Sequence, residues 1–140
     1  LLMLQKKEEA IENYKIAIKL NPKNIQANFG LAKVYFSQRK YAVARELLED
    51  LIGYTKDAEI LNLLGTVYQK LKEFDKAIGI FNNLISLYPD NHIIAVKIAE
   101  CYFGTGNKEK AKEYAMRALE KDSDFEDALK ILKEVNKTNE

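Results

Sequence analysis

Residues 58–91, AEILNLLGTVYQKLKEFDKAIGIFNNLISLYPDN, decide the fold of this chain. Apolar residues recur at spacings of three and four in two blocks, which predicts two amphipathic helices separated by a tight turn. Pro89 follows the second block, and a proline just past a helix end cannot continue the helix. The stretch is therefore predicted to be a helix–turn–helix unit.

The same unit recurs along the chain. Tyr35, Tyr68 and Tyr102 follow one another at intervals of 33 and 34 residues, and Gly65 matches Ala32 and Ala99. A second series at the same intervals consists of Ala10, Ala44, Ala77 and Ala111. Repeats of this length build stacked helical solenoids, and the small residues mark places where helices approach closely.

The full pattern predicts eight helices. Side chains that can cap a helix precede four of them, at Asn24, Asp57, Asn91 and Asn107. The predicted helices span about 6–20, 25–38, 41–53, 58–71, 74–87, 92–104, 108–121 and 125–136.

The unit resembles the tetratricopeptide repeat (TPR), a helix–turn–helix of 34 residues. Residues 58–91 carry the pattern best, at Leu64, Gly65, Tyr68, Phe74, Ala77, Phe81 and Pro89. The resemblance implies an all-α fold, an α-α superhelix formed as a right-handed solenoid of antiparallel helix pairs, with a C-terminal capping helix. It implies a single domain over 1–140: a partial repeat 1–24, repeats 25–57, 58–91 and 92–125, a capping helix 125–136 and a tail 137–140.

Two features depart from the TPR pattern. The chain has no tryptophan, and Asn28, Leu61 and Ala95 stand where the family often has a large aromatic residue. The second repeat is one residue short, with residues 53–56 in place of an Asn-Pro turn. The chain also opens with leucine rather than methionine. This favours a piece of a longer protein, whose targeting sequence is not visible. A cytoplasmic location is favoured.

Composition and residue spacing favour no catalytic chemistry. The 22 basic and 21 acidic residues have interspersed signs, and no apolar run approaches the roughly 18 residues of a membrane span. His92 and Cys101, the one histidine and the one cysteine, are predicted to be a solvated side chain and a buried thiol. Gly104-Thr105-Gly106 follows a predicted helix, so it is interpreted as an inter-helix turn. No catalytic residue, cofactor or metal site is expected.

The TPR resemblance implies a concave groove lined by the first helix of each repeat. The chaperone-binding clamp of some family members is missing, since Glu59, Leu63 and Gly30 occupy its positions. The residues predicted to contact a partner are Phe29, Lys33, Phe36, Asn62, Thr66, Gln69, Val96, Glu100 and Phe103. Ser37, Glu59, Lys70 and Ile93 occupy further groove-facing positions of the family. The alternative is that Phe29, Phe36, Val96 and Phe103 pack between helices.

The resemblance implies a non-catalytic scaffold that binds a peptide or protein segment in this groove. An alternative is a TPR appendage that recruits substrates or partners to a larger enzyme. An RNA-reading helical repeat ranks last, because such repeats need a basic concave face and Lys33 and Lys70 are balanced by Glu59 and Glu100. Neither nucleic-acid binding nor membrane insertion is expected.

The N-terminal helix is predicted to mediate self-association. It lacks the preceding helix that a complete repeat supplies, and exposed apolar patches favour association. We expect self-association through an apolar patch on this helix formed by Ile11, Tyr14 and Ile18 together with Leu1, Leu2 and Leu4.

Overall fold

The computed structural model describes residues 2–137, and the regular structure in this range is helical throughout. The predicted order of eight helices is confirmed. They are α1 (Leu2–Leu20), α2 (Ile25–Ser37), α3 (Tyr41–Leu51), α4 (Ala58–Lys70), α5 (Phe74–Leu87), α6 (His92–Thr105), α7 (Lys108–Lys121) and α8 (Glu126–Lys137).

The predicted boundaries nearest the two ends of the chain need correction. Helix α1 begins at Leu2, about one turn before the predicted start, because residues 2–5 are Leu, Met, Leu and Gln, all good helix formers. The predicted tail 137–140 does not begin at Lys137, which is the last residue of α8. Residues 138–140 lie outside the described range.

Side-chain caps begin four of the helices, as predicted. The Oδ1 atom of Asn24 accepts a hydrogen bond from the Ala27 amide at 3.0 Å, and Asp57 accepts one from the Glu59 amide at 2.9 Å. Asn91 and Asn107 accept bonds from the amides three residues later, each at 3.1 Å. These bonds satisfy amides that have no partner within the helix, so the start of each helix is fixed locally.

The turn after the first helix of each repeat has one repeated backbone conformation. Arg39, Lys72 and Gly106 have positive φ angles of 60°, 62° and 86°. The next amide bonds back to a tyrosine carbonyl in each case: Lys40 to Tyr35, Glu73 to Tyr68 and Asn107 to Tyr102, at 2.9, 2.8 and 2.9 Å. This is the Schellman pattern of helix ends, and it explains why the tyrosine series and the turns share one period.

The third of these turns is shorter than predicted. Gly104 and Thr105 belong to α6, so only Gly106 leaves the helix. A Cβ added at Gly104 would overlap the ring of Phe74. Glycine at this position therefore makes room for the first side chain of α5.

The chain divides into two compact units within α4, between Val67 and Tyr68. In unit 1, α2 packs against both α1 and α3. Its core contains Leu31, Ala32, Ala44, Leu48, Leu51, Ile60 and Leu64. A Cβ added at Gly30 would overlap the ring of Tyr14, so glycine lets α1 and α2 approach closely.

In unit 2, α6 packs against α5, α7 and α8. The largest fully buried side chain is Phe81, and around it the core contains Ala77, Leu84, Ile98, Ala99, Cys101, Ala111, Ala115 and Ala118. Helix α8 buries one face, through Ala128, Ile131 and Val135, and presents charged residues on the other. This amphipathic character agrees with a capping helix, and the capping role stays a prediction.

The apolar surface of α1 differs from the predicted one. Ile11, Tyr14 and Ile18 are half-buried, and Tyr14 lies against Gly30 of α2. Leu2 and Leu4 are exposed as predicted, at 65% and 53%, and Met3, Ile16 and Leu20 are exposed with them. Leu1 lies outside the described residues. Packing on α2 therefore covers the middle of the predicted patch.

Candidate functional site

Helix α2 presents a narrow stripe of side chains that face outward from unit 1. Residues 27, 28 and 30–32 are buried, whereas Lys33 is exposed and Phe29 and Phe36 are half-buried. Their spacing of four and three residues places all three on one side of the helix. We call Phe29, Lys33 and Phe36 the α2 stripe.

The two aromatic rings of the α2 stripe have different supports. The Lys33 Nζ atom lies 4.6 Å from the centre of the Phe29 ring, within the range of a cation–π contact. The Phe36 ring lies 5.5 Å from the ring of Tyr41 on α3, tilted by 60°. Phe36 is therefore held by a neighbouring helix, whereas Phe29 is covered by a flexible lysine.

The start of α2 is fixed by a buried polar residue at the position where TPR sequences often have a large aromatic. The Nδ2 atom of Asn28 donates hydrogen bonds to the carbonyl of Asn24 at 2.9 Å and to that of Pro22 at 3.1 Å. These bonds tie the preceding turn to the helix. Together with the Schellman turn after Ser37, these bonds fix both ends of the helix that carries the α2 stripe.

The middle candidates come from α4. Asn62 and Thr66 belong to unit 1 and are half-buried, and the Thr66 hydroxyl donates to the Asn62 carbonyl at 2.9 Å. Gln69 belongs to unit 2, where its side chain hydrogen-bonds to Glu100 of α6. The side-chain hydrogen-bonding capacity of Thr66 and Gln69 is therefore partly used within the chain.

Helix α6 carries the corresponding stripe of unit 2, which consists of Val96, Glu100 and Phe103. The prediction that Val96 offers a contact surface needs correction, because its side chain is only 2% exposed. Three helices pack around α6 and leave little of its surface uncovered. Glu100 is exposed and Phe103 is half-buried, so these two residues form the accessible part of the α6 stripe.

Charged groups from three helices surround the α6 stripe. Although Glu100 as a whole is exposed, partial removal of water from its carboxyl group raises its pKa; the Gln69 hydrogen bond opposes the rise, and the Asp127 charge adds to it. Burial also lowers the pKa of Lys97, against the attraction of Glu100. The Lys97 Nζ atom lies 5.6 Å from the centre of the Phe81 ring. The α6 charges are therefore held mainly by partners within unit 2.

Groups that could support catalysis are held in structural environments. Cys101 is fully buried, and burial raises the pKa of its thiol to about 12, so the nucleophilic thiolate is suppressed. His92, predicted to be solvated, is half-buried, with its ring edge-on to that of Phe125 at 4.9 Å. Within residues 2–137 no group of three or more His, Cys, Asp or Glu side chains is arranged to hold a metal ion.

The lining of a cavity beside α1 includes none of the predicted groove residues. The cavity has a volume of about 530 Å³ and is lined by Gln5, Glu8, Glu9, Ile11 and Glu12 of α1. The same described part of the chain has no helix that is both long and apolar enough to cross a membrane. Each unit therefore keeps its own candidate residues: the α2 stripe with Asn62 and Thr66 in unit 1, and the α6 stripe with Gln69 in unit 2.

Two repeat-family models match the chain. One, described as TPR repeat, covers residues 3–38, and the other, described as tetratricopeptide repeat, covers residues 68–134. The chain belongs to the tetratricopeptide repeat family. TPR membership confirms what the spacing of Tyr35, Tyr68 and Tyr102 indicated.

Curated relatives are much longer than this chain. Tetratricopeptide repeat protein 1 of Schizosaccharomyces pombe is 35% identical over 78 residues, which cover 56% of this chain and 8% of the relative. DnaJ homolog subfamily C member 3 of Gallus gallus is 27% identical over 155 residues, 99% of this chain and 31% of the relative. The chain therefore spans less than a third of either relative.

Solved TPR structures share the fold. MamA superposes with a TM-score of 0.81 at 21% identity, covering 98% of this chain and 91% of MamA. YrrB, described as a TPR protein with an unusual peptide-binding site, has a TM-score of 0.77 at 20% identity, covering 96% and 79%. The first TPR of RPAP3, bound to the HSP90 peptide SRMEEVD, has 0.74 at 19%, covering 81% and 91%. The predicted all-α superhelix class is confirmed.

One feature visible in the sequence was not used in predicting the site. Residues 13–45 contain seven basic side chains and no acidic one, although the whole chain is nearly neutral. This run includes all of α2. Counting charges by segment, rather than over the whole chain, would have distinguished the surroundings of the α2 and α6 stripes.

Proposed function

We propose that this chain is a non-catalytic scaffold that binds a peptide or protein segment on the outward faces of the first helices of its repeats. The observation that carries the proposal is the α2 stripe, in which two half-buried phenylalanines flank an exposed lysine. Peptide binding by the structurally similar YrrB and RPAP3 repeats supports the same function here.

The α2 stripe has the physical character of a binding anchor. Aromatic side chains bury a large area with few rotatable bonds, and they are enriched among the residues that dominate binding energy. Phe36 is already held against Tyr41, so little conformational freedom is lost when a partner packs on it. The α2 backbone is also capped at its start and closed by a Schellman turn at its end.

The environments of Cys101 and His92 support a role without catalysis. A thiol with a pKa of about 12 is a poor nucleophile at neutral pH. The His92 ring packs against Phe125 and is not placed beside a nucleophile among the described contacts. We therefore assign the chain's own residues to binding.

A peptide selection tests the proposal. A displayed library of proteome-derived peptides is selected on the wild-type chain, and enriched peptides are measured against Phe29→Ala and Phe36→Ala by fluorescence anisotropy. If either residue is a hot spot, its variant should lose about 2 kcal/mol or more of binding free energy. Val43→Ala is the matched control, because Val43 is a 42% exposed apolar residue on α3 outside the stripe.

The outcome separates recognition from packing. Peptides that bind wild type and Val43→Ala equally, but both phenylalanine variants weakly, support the proposal. Enriched peptides that bind all four proteins equally would contradict it. Circular dichroism of each variant shows whether a loss of binding reflects a loss of fold.

A further inference from the structure

One stretch of unit 1 carries basic side chains and no acidic ones. The seven basic residues of the acid-free run 13–45 lie on α1, α2, α3 and the turns between them, and the rest of the chain carries 15 basic and 21 acidic residues. Six of the seven are exposed: Lys15, Lys19, Lys23, Lys33, Arg39 and Lys40. The nearly neutral total therefore conceals an acid-free basic stretch that includes all of α2.

The cations nearest the α2 stripe contact aromatic rings. Lys33 lies over Phe29 at 4.6 Å, and the Lys40 Nζ atom lies 5.8 Å from the centre of the Tyr35 ring. Among the described residues, neither lysine has a carboxylate within ion-pair distance. The ring contact leaves Lys33 exposed, so Lys33 can still pair with a carboxylate brought by a partner.

We propose that the outward face of α2 binds an acidic peptide. Apolar side chains of the peptide contact Phe29 and Phe36, and an internal Asp or Glu carboxylate pairs with Lys33 between them. Arg39 and Lys40, just beyond the helix end, attract further acidic residues and speed association. The inference rests on the proposed function and names the partner class of the same site.

The spacing of the stripe fits an extended peptide. Phe29 and Phe36 are seven residues apart, which is about 10 Å along a helix at 1.5 Å per residue. In a polyproline II segment, residues three apart share a face and are separated by about 9 Å. The expected ligand therefore has two apolar residues three positions apart, with a carboxylate between them.

The placement of Lys33 also favours a peptide over a nucleic acid. Single-stranded nucleic acids gain much of their affinity by stacking bases on the faces of aromatic side chains. Lys33 covers one face of the half-buried Phe29 ring. An aliphatic side chain can pack against the ring edge that remains, whereas a base needs an open face.

Binding of defined probes tests the inference. The probes are fluorescein-labelled short peptide libraries with amidated C-termini, so that only side-chain carboxylates are available. One library combines Asp and Glu with Leu and Phe, a second replaces the acids with Lys and Arg, and a third replaces the apolar residues with Gly and Ser. An oligouridine of similar length serves as a polyanion without apolar side chains.

The protein variants isolate the role of Lys33. We expect the acidic–apolar library to bind wild type about tenfold or more tightly than the other probes, and Lys33→Glu to weaken that binding about tenfold. Lys112→Glu makes the same charge change at an exposed position of α7 and should change binding less than about twofold. Phe29→Ala should weaken the acidic–apolar library and leave the fold intact.

Other outcomes would overturn the inference, and they distinguish it from the proposed function. Equal binding of the acidic–apolar and basic–apolar libraries, with loss in Phe29→Ala, would overturn the acidic preference and leave the scaffold function standing. Tighter binding of oligouridine that depends on Lys33 would assign the surface to nucleic acid. Absence of binding by every probe would overturn both proposals.

Discussion

The α2 and α6 stripes occupy equivalent positions in the repeat and differ in the sign of their central charge and in the exposure of their first residue. Phe29, Lys33 and Phe36 correspond to Val96, Glu100 and Phe103, each 67 residues later. The central charge is positive in one stripe and negative in the other. The first residue of the stripe is half-buried in α2 and fully buried in α6.

Packing within unit 2 accounts for the burial of Val96. Helix α6 has three partner helices in that unit, α5, α7 and α8. Glu100 interacts with Gln69, Asp127, Lys97 and Lys70, so its charge is engaged inside the unit. The repeat thus fixes where a stripe lies, while neighbouring side chains decide whether the stripe is available to a partner.

The largest expected effect separates core aromatic residues from stripe aromatic residues. Phe81 is fully buried in unit 2, and Phe81→Ala should lower the free energy of unfolding by about 3–5 kcal/mol through loss of burial and a cavity. Phe29 is half-buried and covered by one lysine, so Phe29→Ala should cost only about 1 kcal/mol. Urea unfolding measures both. Similar losses in the two variants would make Phe29 a packing residue and remove the contrast between the units.

The next effect tests close packing in unit 1. A Cβ at Gly30 would overlap the Tyr14 ring, whereas one at Gly79 of α5 meets no atom within 4 Å. Gly79→Ala should therefore stabilise the chain by up to about 1 kcal/mol through helix propensity. Gly30→Ala should destabilise it, because overpacking typically costs about 1–3 kcal/mol.

A double-mutant cycle distinguishes overlap from other causes. In a Tyr14→Ala background, Gly30→Ala should become neutral or stabilising, which corresponds to a coupling of about 0.5–3 kcal/mol in urea unfolding. Additive effects of the two substitutions would show that the Tyr14 ring moves aside freely.

Local sequence signals predicted the fold well, and long-range contacts account for what was missed. The caps at Asn24 and Asn91 and the periodic small residues at Ala44 and Ala77 act through neighbours in the chain or through the repeat itself. The Gly30–Tyr14 contact joins residues 16 positions apart on different helices, and no periodicity in the sequence indicates it.

The residues of the candidate site were harder to predict from the sequence than the helices were. The TPR resemblance placed Val96 in the groove because the position of a residue within the repeat was the criterion. The burial of that residue depends on which helices pack around α6. The Lys33–Phe29 contact, by contrast, follows from a spacing of four residues on a helix. The groove residues remain a prediction.

A smaller effect compares the turns that follow the two stripes. Arg39 and Gly106 occupy the same left-handed position, with φ angles of 60° and 86°. Left-handed backbone costs a residue with a Cβ about 1–2 kcal/mol, so Arg39→Gly should stabilise the chain by about 1 kcal/mol after the greater entropy of unfolded glycine is offset. Gly106→Ala should destabilise it by a similar amount. Thermal unfolding checks both signs, and the same sign for the two substitutions would show that the turns are not equivalent.

The smallest effect concerns the charge at the centre of the α6 stripe. The pKa of Glu100 is raised from its ordinary 4.5, first by burial. A raised folded-state pKa gives stability that is present below the unfolded pKa and lost as pH rises through the folded pKa. Glu100→Gln should therefore gain stability over wild type between pH 4 and neutral pH. Because Glu100 is exposed to screening water, the gain should stay below about 1 kcal/mol.

Removing the Gln69 hydrogen bond should change the same pH dependence in the direction opposite to that of Glu100→Gln. This bond holds the pKa of Glu100 down against the effects of burial and of Asp127. Gln69→Ala should therefore raise the pKa further and steepen the loss of stability with rising pH, whatever the substitution does to stability overall. Urea unfolding at several pH values gives the slopes for wild type and both variants. If Gln69→Ala leaves the slope unchanged, Glu100 is not held by this partner, and its charge is as available to a ligand as that of Lys33 in the α2 stripe.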